Sequence, residues 1–294
     1  MSLAWTTLAP VVIIAWALLL WLLERRFPYD RQRFLREGFW VDLLLYGGQG
    51  YAAAVATSAV IRFLDGASGL SRLGLVAGWP IWVQVAFFTV THDLYIYTFH
   101  RLQHASPLLW RLHEAHHSNT SLDWVAALRS HGLEVFVNAV VEFAPMALLG
   151  AAPDVPVIKG MIGAVWGLWI HSNVDARTGR LQWVLNGPEA HRWHHAIDSE
   201  AHNRNFATKL AVWDWLFRTA YFPDRNVRKA ETYGLSEITF PEHFPEAYFQ
   251  HHLLSVRRMR VAASPSGAHD DDRGDRDHLP GEYIAGVVDA EAHP

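Results

Sequence analysis

Long apolar runs with few charged side chains constrain the fold of this chain more than any other feature. The first run covers residues 8–23, and two more cover about 40–62 and about 75–99. A helix needs roughly 20 residues to cross the hydrocarbon core of a bilayer, and these runs approach or exceed that length. We therefore predict three membrane-spanning helices, because lipid offers no hydrogen-bond partner to a backbone outside a helix or a closed barrel.

Two shorter apolar runs, 133–150 and 156–171, are joined at Ala151–Asp154. Because each run is short for a span, we expect a helical hairpin that dips into the bilayer or barely crosses it. The predicted fold is thus an all-α integral membrane bundle of three spans and one hairpin. A soluble helical protein is the alternative, and it would have to bury every run in a single core.

Basic residues predict the orientation of these helices. The segment 24–37 after the first run carries five arginines, whereas the residues before the run carry no charged side chain. Since arginine and lysine favour the cytoplasmic side, we place this segment in the cytoplasm and the N-terminus outside. We expect no cleaved signal peptide, because no basic residue precedes the run and no small-residue cleavage site follows it. The excess of arginine over lysine is typical of a GC-rich genome, so we expect a bacterial inner membrane.

The composition changes towards the C-terminus. Residues 244–260 form an amphipathic pattern that ends in three arginines, which fits either an interfacial helix on an anionic leaflet or a surface helix packed on the protein. From residue 262 the chain is rich in serine, proline, glycine and aspartate, a composition typical of disorder. We therefore predict one membrane-embedded domain over 1–261 and a disordered tail over 262–294.

The chain contains 18 histidines and no cysteine. The absence of cysteine excludes disulfides, thiolate-ligated iron–sulfur clusters and cysteine nucleophiles. A metal in this protein must be held by nitrogen and oxygen, and many imidazoles suit iron, zinc, copper or nickel better than magnesium or calcium. The formal net charge of −4 gives no basic field that would favour nucleic acid.

Eight histidines fall into three short motifs. An H-x-x-x-H motif precedes two copies of H-x-x-H-H, and together they contain His100, His104, His113, His116, His117, His191, His194 and His195. Helical residues three and four apart share a face, so we expect each motif to direct its imidazoles to one point. Eight nitrogens exceed the needs of one four-coordinate metal and suit two metals in a shared pocket. We predict that these histidines form a cap at one end of the bundle, and that this cap binds two metals and faces the cytoplasm.

Other interpretations of these histidines remain open. Core histidines that bind no metal would each need a separate hydrogen-bond partner, since burying them unpaired costs several kcal/mol in total. The segment His113–His117 also reads H-E-x-x-H, so a zinc-dependent membrane hydrolase with Glu114 as the base is a second hypothesis. A metal transporter is a third, although transport ligands are expected in the middle of spans and these motifs lie at span ends.

The motifs and their surroundings resemble the fatty acid hydroxylase/sterol desaturase superfamily of membrane di-iron enzymes. The resemblance covers about 80–222 and is nearest to alkylglycerol monooxygenase and to bacterial sterol desaturase-like proteins. It rests on the three motifs in order and on Asp93, Tyr97, Arg101, Trp110, Ser118, Asn203–Phe206 and Trp213–Phe217. The chain departs from the family at Arg218 and Thr208, where glycine is common.

The resemblance implies a membrane enzyme that uses two iron ions and O2 to hydroxylate or desaturate a lipid such as a fatty acyl chain, a sterol or an ether lipid. The protein as purified could carry zinc instead of iron. No G-x-G-x-x-G motif of a dinucleotide-binding domain is visible in the sequence, so the electrons must come from a separate electron-transfer protein or a pterin.

The resemblance also implies further site residues. His131 and His171 occupy family positions and are expected as additional ligands, with a supporting or interfacial place for His171 as the alternative. Asp93 and Asp214 are the carboxylates that the family pattern marks, and we expect them to orient metal-bound imidazoles. Asn205 is expected to hydrogen-bond a metal-bound water. These three residues are the predicted catalytic residues beside the ligands.

Overall fold

The protein is described by a computed structural model that covers residues 3–224, 229–235 and 246–262. The described residues are helical and contain no strand, only two isolated backbone bridges. Within these ranges nine α-helices follow one another: α1 Leu3–Arg26, α2 Gly47–Ser68, α3 Ile81–Ala105, α4 Pro107–His117, α5 Gly132–Leu148, α6 Val155–His171, α7 Pro188–His195, α8 Val212–Leu216 and α9 Glu246–Ala262. The predicted tail from residue 263 onwards lies outside the described residues, so the disorder prediction stays a prediction.

One helix among the described residues is both long and apolar enough to cross a membrane, over Ala4–Arg26. It coincides with the first predicted span, and Val11, Ile14 and Leu18 on it are more than half exposed. Such a surface suits contact with lipid rather than with water. The second and third predicted spans coincide with α2 and α3. That these two helices cross the bilayer stays a prediction.

The second apolar run does not begin as a regular α-helix. Val41–Tyr46 forms a π-helical turn that continues directly into α2. Turns of this kind are rare in proteins overall, but many of those that occur lie at functional sites. This turn contains Asp42, a fully buried carboxylate that pairs with two arginines.

The predicted hairpin is present as the helix pair α5 and α6. α6 begins just after Asp154 and has Pro156 in its first turn, where proline is tolerated because no helical carbonyl would accept its N–H. Each of the two helices has 17 residues. α6 packs on α1 and α3 and ends at His171, so the hairpin delivers one histidine to the same end of the bundle as the three motifs.

Short helices gather at this end of the bundle. Ser106 caps α4 by accepting a hydrogen bond from the Leu109 amide, which starts a new helix one residue after α3 ends. α7 contributes Trp193 to an apolar cluster that also includes Leu122 and Ala126. The Ser106 cap and this cluster therefore hold α4 and α7, the helices that carry the two H-x-x-H-H motifs.

Candidate metal centre

Nine histidines form two compact groups at this end of the bundle. In each group the nearest ring nitrogens lie within 4.8 Å of one another. The first group contains His100, His104, His113, His117 and His194, and the second contains His116, His171, His191 and His195. All nine side chains are buried. The rings of His117 and His195 are 4.5 Å apart, so the two groups are neighbours in one pocket.

Each H-x-x-H-H motif divides its histidines between the two groups. In α4, His113 and His117 belong to the first group and His116 to the second. Residues four apart share a helix face, whereas adjacent residues differ by about 100° around the axis. The expectation that one motif directs three imidazoles to one point is therefore wrong. α7 repeats the division, since His191 and His195 go to the second group and His194 to the first.

Backbone carbonyls fix the tautomers of several of these imidazoles. Nδ1 of His116 lies 2.8 Å from the Arg129 carbonyl, and Nδ1 of His171 lies 2.8 Å from the Gly167 carbonyl. A carbonyl oxygen can only accept, so the proton must be on Nδ1 and the lone pair on Nε2. The same argument holds for His100 and His194 of the first group, whose Nδ1 atoms donate to the carbonyls of Phe206 and Arg204.

The Nε2 atoms of the second group point at one another. His116 Nε2 and His171 Nε2 are 3.1 Å apart, and His171 Nε2 and His191 Nε2 are 2.8 Å apart. Because His116 and His171 both carry their proton on Nδ1, two lone pairs face each other and no hydrogen bond can form between them. A cation between them removes this conflict. Two nitrogens bonded at about 2.0–2.1 Å to one metal, at angles of roughly 90–110°, lie about 2.8–3.4 Å apart, which matches these separations.

Protonation cannot replace a metal in this role. Burial lowers the pKa of His113 to about 3 and that of His116 to about 4, so both rings are neutral near pH 7. A neutral imidazole with a free lone pair is the form that binds a transition metal. The donor set therefore fits a metal on chemical grounds.

The first group also contains buried nitrogens that lack a protein partner among the described residues. They include Nε2 of His100 and of His113, and both ring nitrogens of His104. Leaving a buried polar atom unsatisfied costs about 1–3 kcal/mol. A metal would accept the Nε2 lone pairs of His100 and His113 and the single lone pair of His104, so both groups fit the same interpretation.

Glu134 is the carboxylate that contacts a histidine of the site. Its Oε1 lies 2.9 Å from His113 Nδ1, and both side chains are buried. A carboxylate in this position accepts the Nδ1 proton, leaves Nε2 free and makes the imidazole a stronger ligand. Glu134 lies 21 residues after His113 along the chain, and no pattern in the sequence links the two residues.

A buried ion-pair network supports the second group. Asp42 accepts from Arg129 Nε at 2.7 Å and from Arg36 at 2.5 Å, and Arg36 also pairs with Asp123. Arg129 in turn provides the carbonyl that accepts from His116. The π-helical turn thus helps to position a ligand through two intermediates, Asp42 and Arg129.

Asp93 and Asp214 bind backbone rather than imidazoles. Asp93 accepts from the amides of Lys209 and Leu210 at 3.0 and 2.8 Å, and Asp214 accepts from the amides of Phe206 and Ala207 at 2.8 and 2.9 Å. The prediction that they orient metal-bound rings directly is therefore corrected. Four nearby amides compete for these oxygens, and both carboxylates instead hold the segment 206–210.

This anchored segment still reaches the site indirectly. The Phe206 carbonyl accepts from Nδ1 of His100 at 2.8 Å, so fixing residue 206 also fixes a ring of the first group. Burial raises the pKa of Asp214 to about 6, against the opposing effect of its hydrogen bonds with Thr219, Ala207 and Phe206. Asp93 and Asp214 are accordingly positioning residues.

Asn205 is likewise engaged by backbone and not directed at a metal-bound water. Its Nδ2 donates to the carbonyls of Ala190 and Tyr221 at 3.0 and 2.9 Å, and its Oδ1 accepts from the Tyr221 amide at 2.7 Å. These bonds use both amide hydrogens, so the expected contact with water is corrected as well. Asn205 lies in the left-handed region with φ 54°, which asparagine tolerates better than most residues.

We expect Asn205→Ala to lower the free energy of unfolding by about 2–4 kcal/mol more than Asn203→Ala does, because three buried hydrogen bonds are lost. Asn203 is the matched control, since it has nearly the same φ, 57°, while its Oδ1 has no partner among the described residues. Thermal unfolding at equal metal content measures the difference. Equal destabilisation by the two variants would contradict this structural role for Asn205.

His131 lies outside both groups, so the structure separates it from the other nine predicted ligands. Its Nδ1 accepts from the Leu133 amide at 3.1 Å and thereby caps α5, and its ring lies 4.6 Å from that of His252. Capping turns the ring away from the metal pocket. His252 and its neighbour His251 had no assigned role in the sequence, and their contacts on α9 could not be read from it.

The two departures from the family pattern have local explanations. Arg218 adopts φ 60°, a left-handed conformation that glycine enters freely and that costs other residues roughly 1–2 kcal/mol. This explains why glycine is common at that position. Thr208 donates from Oγ1 to Asp93 at 2.8 Å and so adds a bond that glycine cannot make. Neither residue belongs to the histidine groups.

Comparisons with known proteins point to one family. The model of the fatty acid hydroxylase family matches residues 85–219, which include α3, α4 and α7 with the three motifs. An ornithine lipid hydroxylase of Rhizobium tropici is 33% identical over 223 residues, which cover 73% of this chain and 67% of that protein. No solved structure matches the chain.

Two more distant relatives match shorter parts of the chain. Human alkylglycerol monooxygenase is 31% identical over 166 residues, which cover 56% of this chain and 35% of that protein. A methylsterol monooxygenase of Aspergillus fumigatus is 26% identical over 162 residues, which cover 52% of this chain and 53% of that protein. The chain thus spans about a third of the alkylglycerol monooxygenase and about half of the methylsterol monooxygenase.

Proposed function

Because the chain belongs to the fatty acid hydroxylase family, we propose that it is a membrane di-iron enzyme that uses O2 to hydroxylate a lipid. The observation that carries this proposal is the division of nine buried histidines into two adjacent groups. Each group offers enough nitrogen for one metal, and nitrogen ligation suits iron. The resemblance inferred from the motifs is confirmed by the family match.

The residues of the pocket would hold the irons and keep water away from them. His100, His104, His113, His117 and His194 would hold one iron, and His116, His171, His191 and His195 the other. Bound iron would supply the chemistry that activates O2 and cleaves a C–H bond. Glu134 and the carbonyls of residues 129, 167, 204 and 206 orient the rings, so the ligands are set before any substrate arrives.

The proposed reaction inserts one oxygen atom into a C–H bond and reduces the other to water. It therefore consumes two electrons and two protons for each O2. We propose that a separate electron-transfer protein or a pterin supplies the electrons. Hydroxylation is favoured over desaturation because the relatives named above are hydroxylases and monooxygenases.

A lipid substrate is supported by the relatives and by an apolar groove. The relatives' names specify an ornithine lipid, alkylglycerols and methylsterols, which are all lipids. A groove of about 870 Å³ runs between α1 and α6 and is lined by apolar side chains and glycines, among them Trp21, Trp124 and Gly163. It reaches Gly167, whose carbonyl accepts from His171. We propose that this groove holds a hydrocarbon chain of the substrate beside the second group.

We expect Gly167→Leu to lower hydroxylation of long-chain lipids by at least tenfold while two metals stay bound. A Cβ atom at residue 167 meets no atom within 4 Å, so a side chain can start there and extend into the groove that this residue lines. Gly66→Leu on α2 is the matched control, because a side chain there also meets nothing within 4 Å and lies away from the groove. Metal content and product formation are measured in parallel; unchanged activity of Gly167→Leu would contradict the groove assignment.

The zinc hydrolase hypothesis fits the surroundings of Glu114 less well. Glu114 pairs with Arg111 at 2.8 Å and accepts from Ser255 at 3.4 Å, so its carboxylate is engaged and poorly suited to activate water as a base. His113 and His117 moreover share their group with three other histidines. A transporter would need ligands spread along the spans, whereas these nine gather at one end.

We propose that the metal centre faces the cytoplasm, in a bacterial inner membrane. The arginines of residues 24–37 follow α1, and the positive-inside rule places them in the cytoplasm. An isolated backbone bridge joins Pro28 of this segment to Val174, which lies three residues after the end of α6. Segment 24–37 and the histidine groups therefore lie at the same end of the bundle.

Membrane lipids of cells that produce the protein test the proposed function. We expect a lipid heavier by one oxygen atom that is absent when the protein carries both His116→Ala and His195→Ala, because this double variant removes two of the four ligands of the second group. Identical lipid profiles for the two strains, with both proteins present in the membrane at equal amounts, would contradict the proposal.

A further inference from the structure

α9 carries a row of apolar side chains that the other described residues leave uncovered. Phe249, Leu253 and Val256 are 62%, 49% and 40% exposed. Residues four and seven apart project from the same side of a helix, so the three side chains form one stripe along α9. An exposed apolar stripe of this kind indicates contact with lipid or with another molecule.

The opposite side of α9 is fixed to the protein. His251 and Ser255 are fully buried on that side. His251 Nδ1 lies 2.5 Å from the Tyr46 hydroxyl, and Ser255 Oγ donates to Glu114 on α4 at 3.4 Å. The stripe cannot turn inward without breaking these contacts, so its exposure follows from how α9 packs.

α9 also lies level with the ends of two apolar helices. His252 Nε2 accepts from the amide of Gly132, the first residue of α5, at 3.0 Å. Tyr248 donates to Gln49 Oε1 at 2.9 Å, near the beginning of α2. The beginnings of apolar helices mark the boundary between hydrocarbon and water, and α9 therefore lies where that boundary is expected.

A basic side chain borders the stripe. Arg257 is exposed and directly follows Val256, and the sequence continues with Arg258 and Arg260. Arginine beside an apolar stripe suits the phosphate groups of an anionic lipid surface, which attracts basic segments.

We propose that α9 is an interfacial helix that lies in the plane of an anionic membrane surface. Phe249, Leu253 and Val256 enter the lipid, and Arg257 contacts the headgroups. Because the buried side of α9 holds Glu114 on α4, this anchoring fixes the depth of the histidine groups relative to the bilayer surface. It concerns how the protein meets the membrane and does not depend on the reaction that the metals support.

Single cysteines test this arrangement, because the chain has no cysteine of its own. Leu253→Cys and the control Gln250→Cys, both at exposed positions of α9, are labelled with an environment-sensitive fluorophore in the full-length protein. The labelled proteins are placed in nanodiscs of phosphatidylglycerol or phosphatidylcholine that contain a nitroxide lipid. We expect the label at residue 253 to be blue-shifted and quenched several-fold more than the label at residue 250, and more strongly in phosphatidylglycerol.

The same experiment can overturn the proposal. Equal quenching of the two labels, or equal quenching in both lipids, contradicts an anionic interfacial helix. If the label at residue 253 showed a blue shift that grew with protein concentration but no quenching by nitroxide lipid, the stripe would contact a second copy of the chain. Arg257→Glu in the Leu253→Cys protein should reduce quenching in phosphatidylglycerol only, and no change would refute the headgroup contact.

Discussion

Replacing His116 and His117 together by alanine is expected to leave both metals bound, whereas replacing His116 and His195 is expected to remove one of the two. The first pair is adjacent in the sequence and takes one ligand from each group, while the second pair takes both ligands from one group. Double variants are needed because three protein ligands suffice for many metal sites. Elemental analysis of iron-loaded protein measures the metal content.

His131→Ala combined with His252→Ala is the matched control. These two histidines contact each other outside both groups, so the protein should keep both metals. If the His116/His117 variant kept as much metal as the His116/His195 variant, the two groups would not be separate sites. Loss of metal from the His131/His252 variant, with the fold intact, would return His131 to the ligand set.

Glu134→Ala is expected to weaken metal binding at the first group by about 10–100-fold, because metal-bound histidines depend on the carboxylates that accept their second N–H. Glu134 accepts from His113 at 2.9 Å. Competition with a chelator measures the affinity, and one of the two metals should leave first. Glu134→Gln keeps an acceptor oxygen and loses the charge, so it should give an intermediate effect.

The second group supplies the internal reference for this experiment. His116 and His171 donate to backbone carbonyls and not to Glu134, so the metal held there should leave at the rate seen in the unchanged protein. Equal weakening of both metals, or of neither, would show that the Glu134 contact does not tune one particular site.

The helices and the ligand residues could be predicted from sequence because their signals are local. Apolar runs fix where α1, α5 and α6 form, and the spacing of the motifs identifies eight histidines of the two groups. These patterns depend on helical periodicity, which operates within a few residues. His171 was expected as a ligand from the family position alone, and the structure brings it to the second group.

The partition of ligands could not be predicted, because it depends on how helices cross. Whether His116 joins His113 or His195 is decided by the placement of α4 against α6 and α7, which no local pattern encodes. The same is true of Glu134, which is 21 residues from His113 along the chain. Contacts over such separations are set by tertiary packing.

The contacts of the supporting polar residues differ from the prediction for a related reason. Asp93, Asp214 and Asn205 were expected near the metals, yet each meets backbone amides or carbonyls first. A buried carboxylate accepts from whatever donors lie nearest, and the turn at residues 206–210 offers several unpaired amides. A sequence pattern indicates that such residues are important, but it does not reveal which groups they hydrogen-bond.

The most direct test of a di-iron lipid hydroxylase is the origin of the oxygen in its product. Iron-loaded protein in lipid nanodiscs, given a reductant and ¹⁸O₂, should yield a lipid that carries one ¹⁸O atom. Protein that carries both His116→Ala and His195→Ala should yield none under the same conditions, since it lacks two of the four ligands of the second group. A product whose oxygen comes from labelled water, or no oxygenated lipid from fully loaded protein with a competent reductant, would contradict the account.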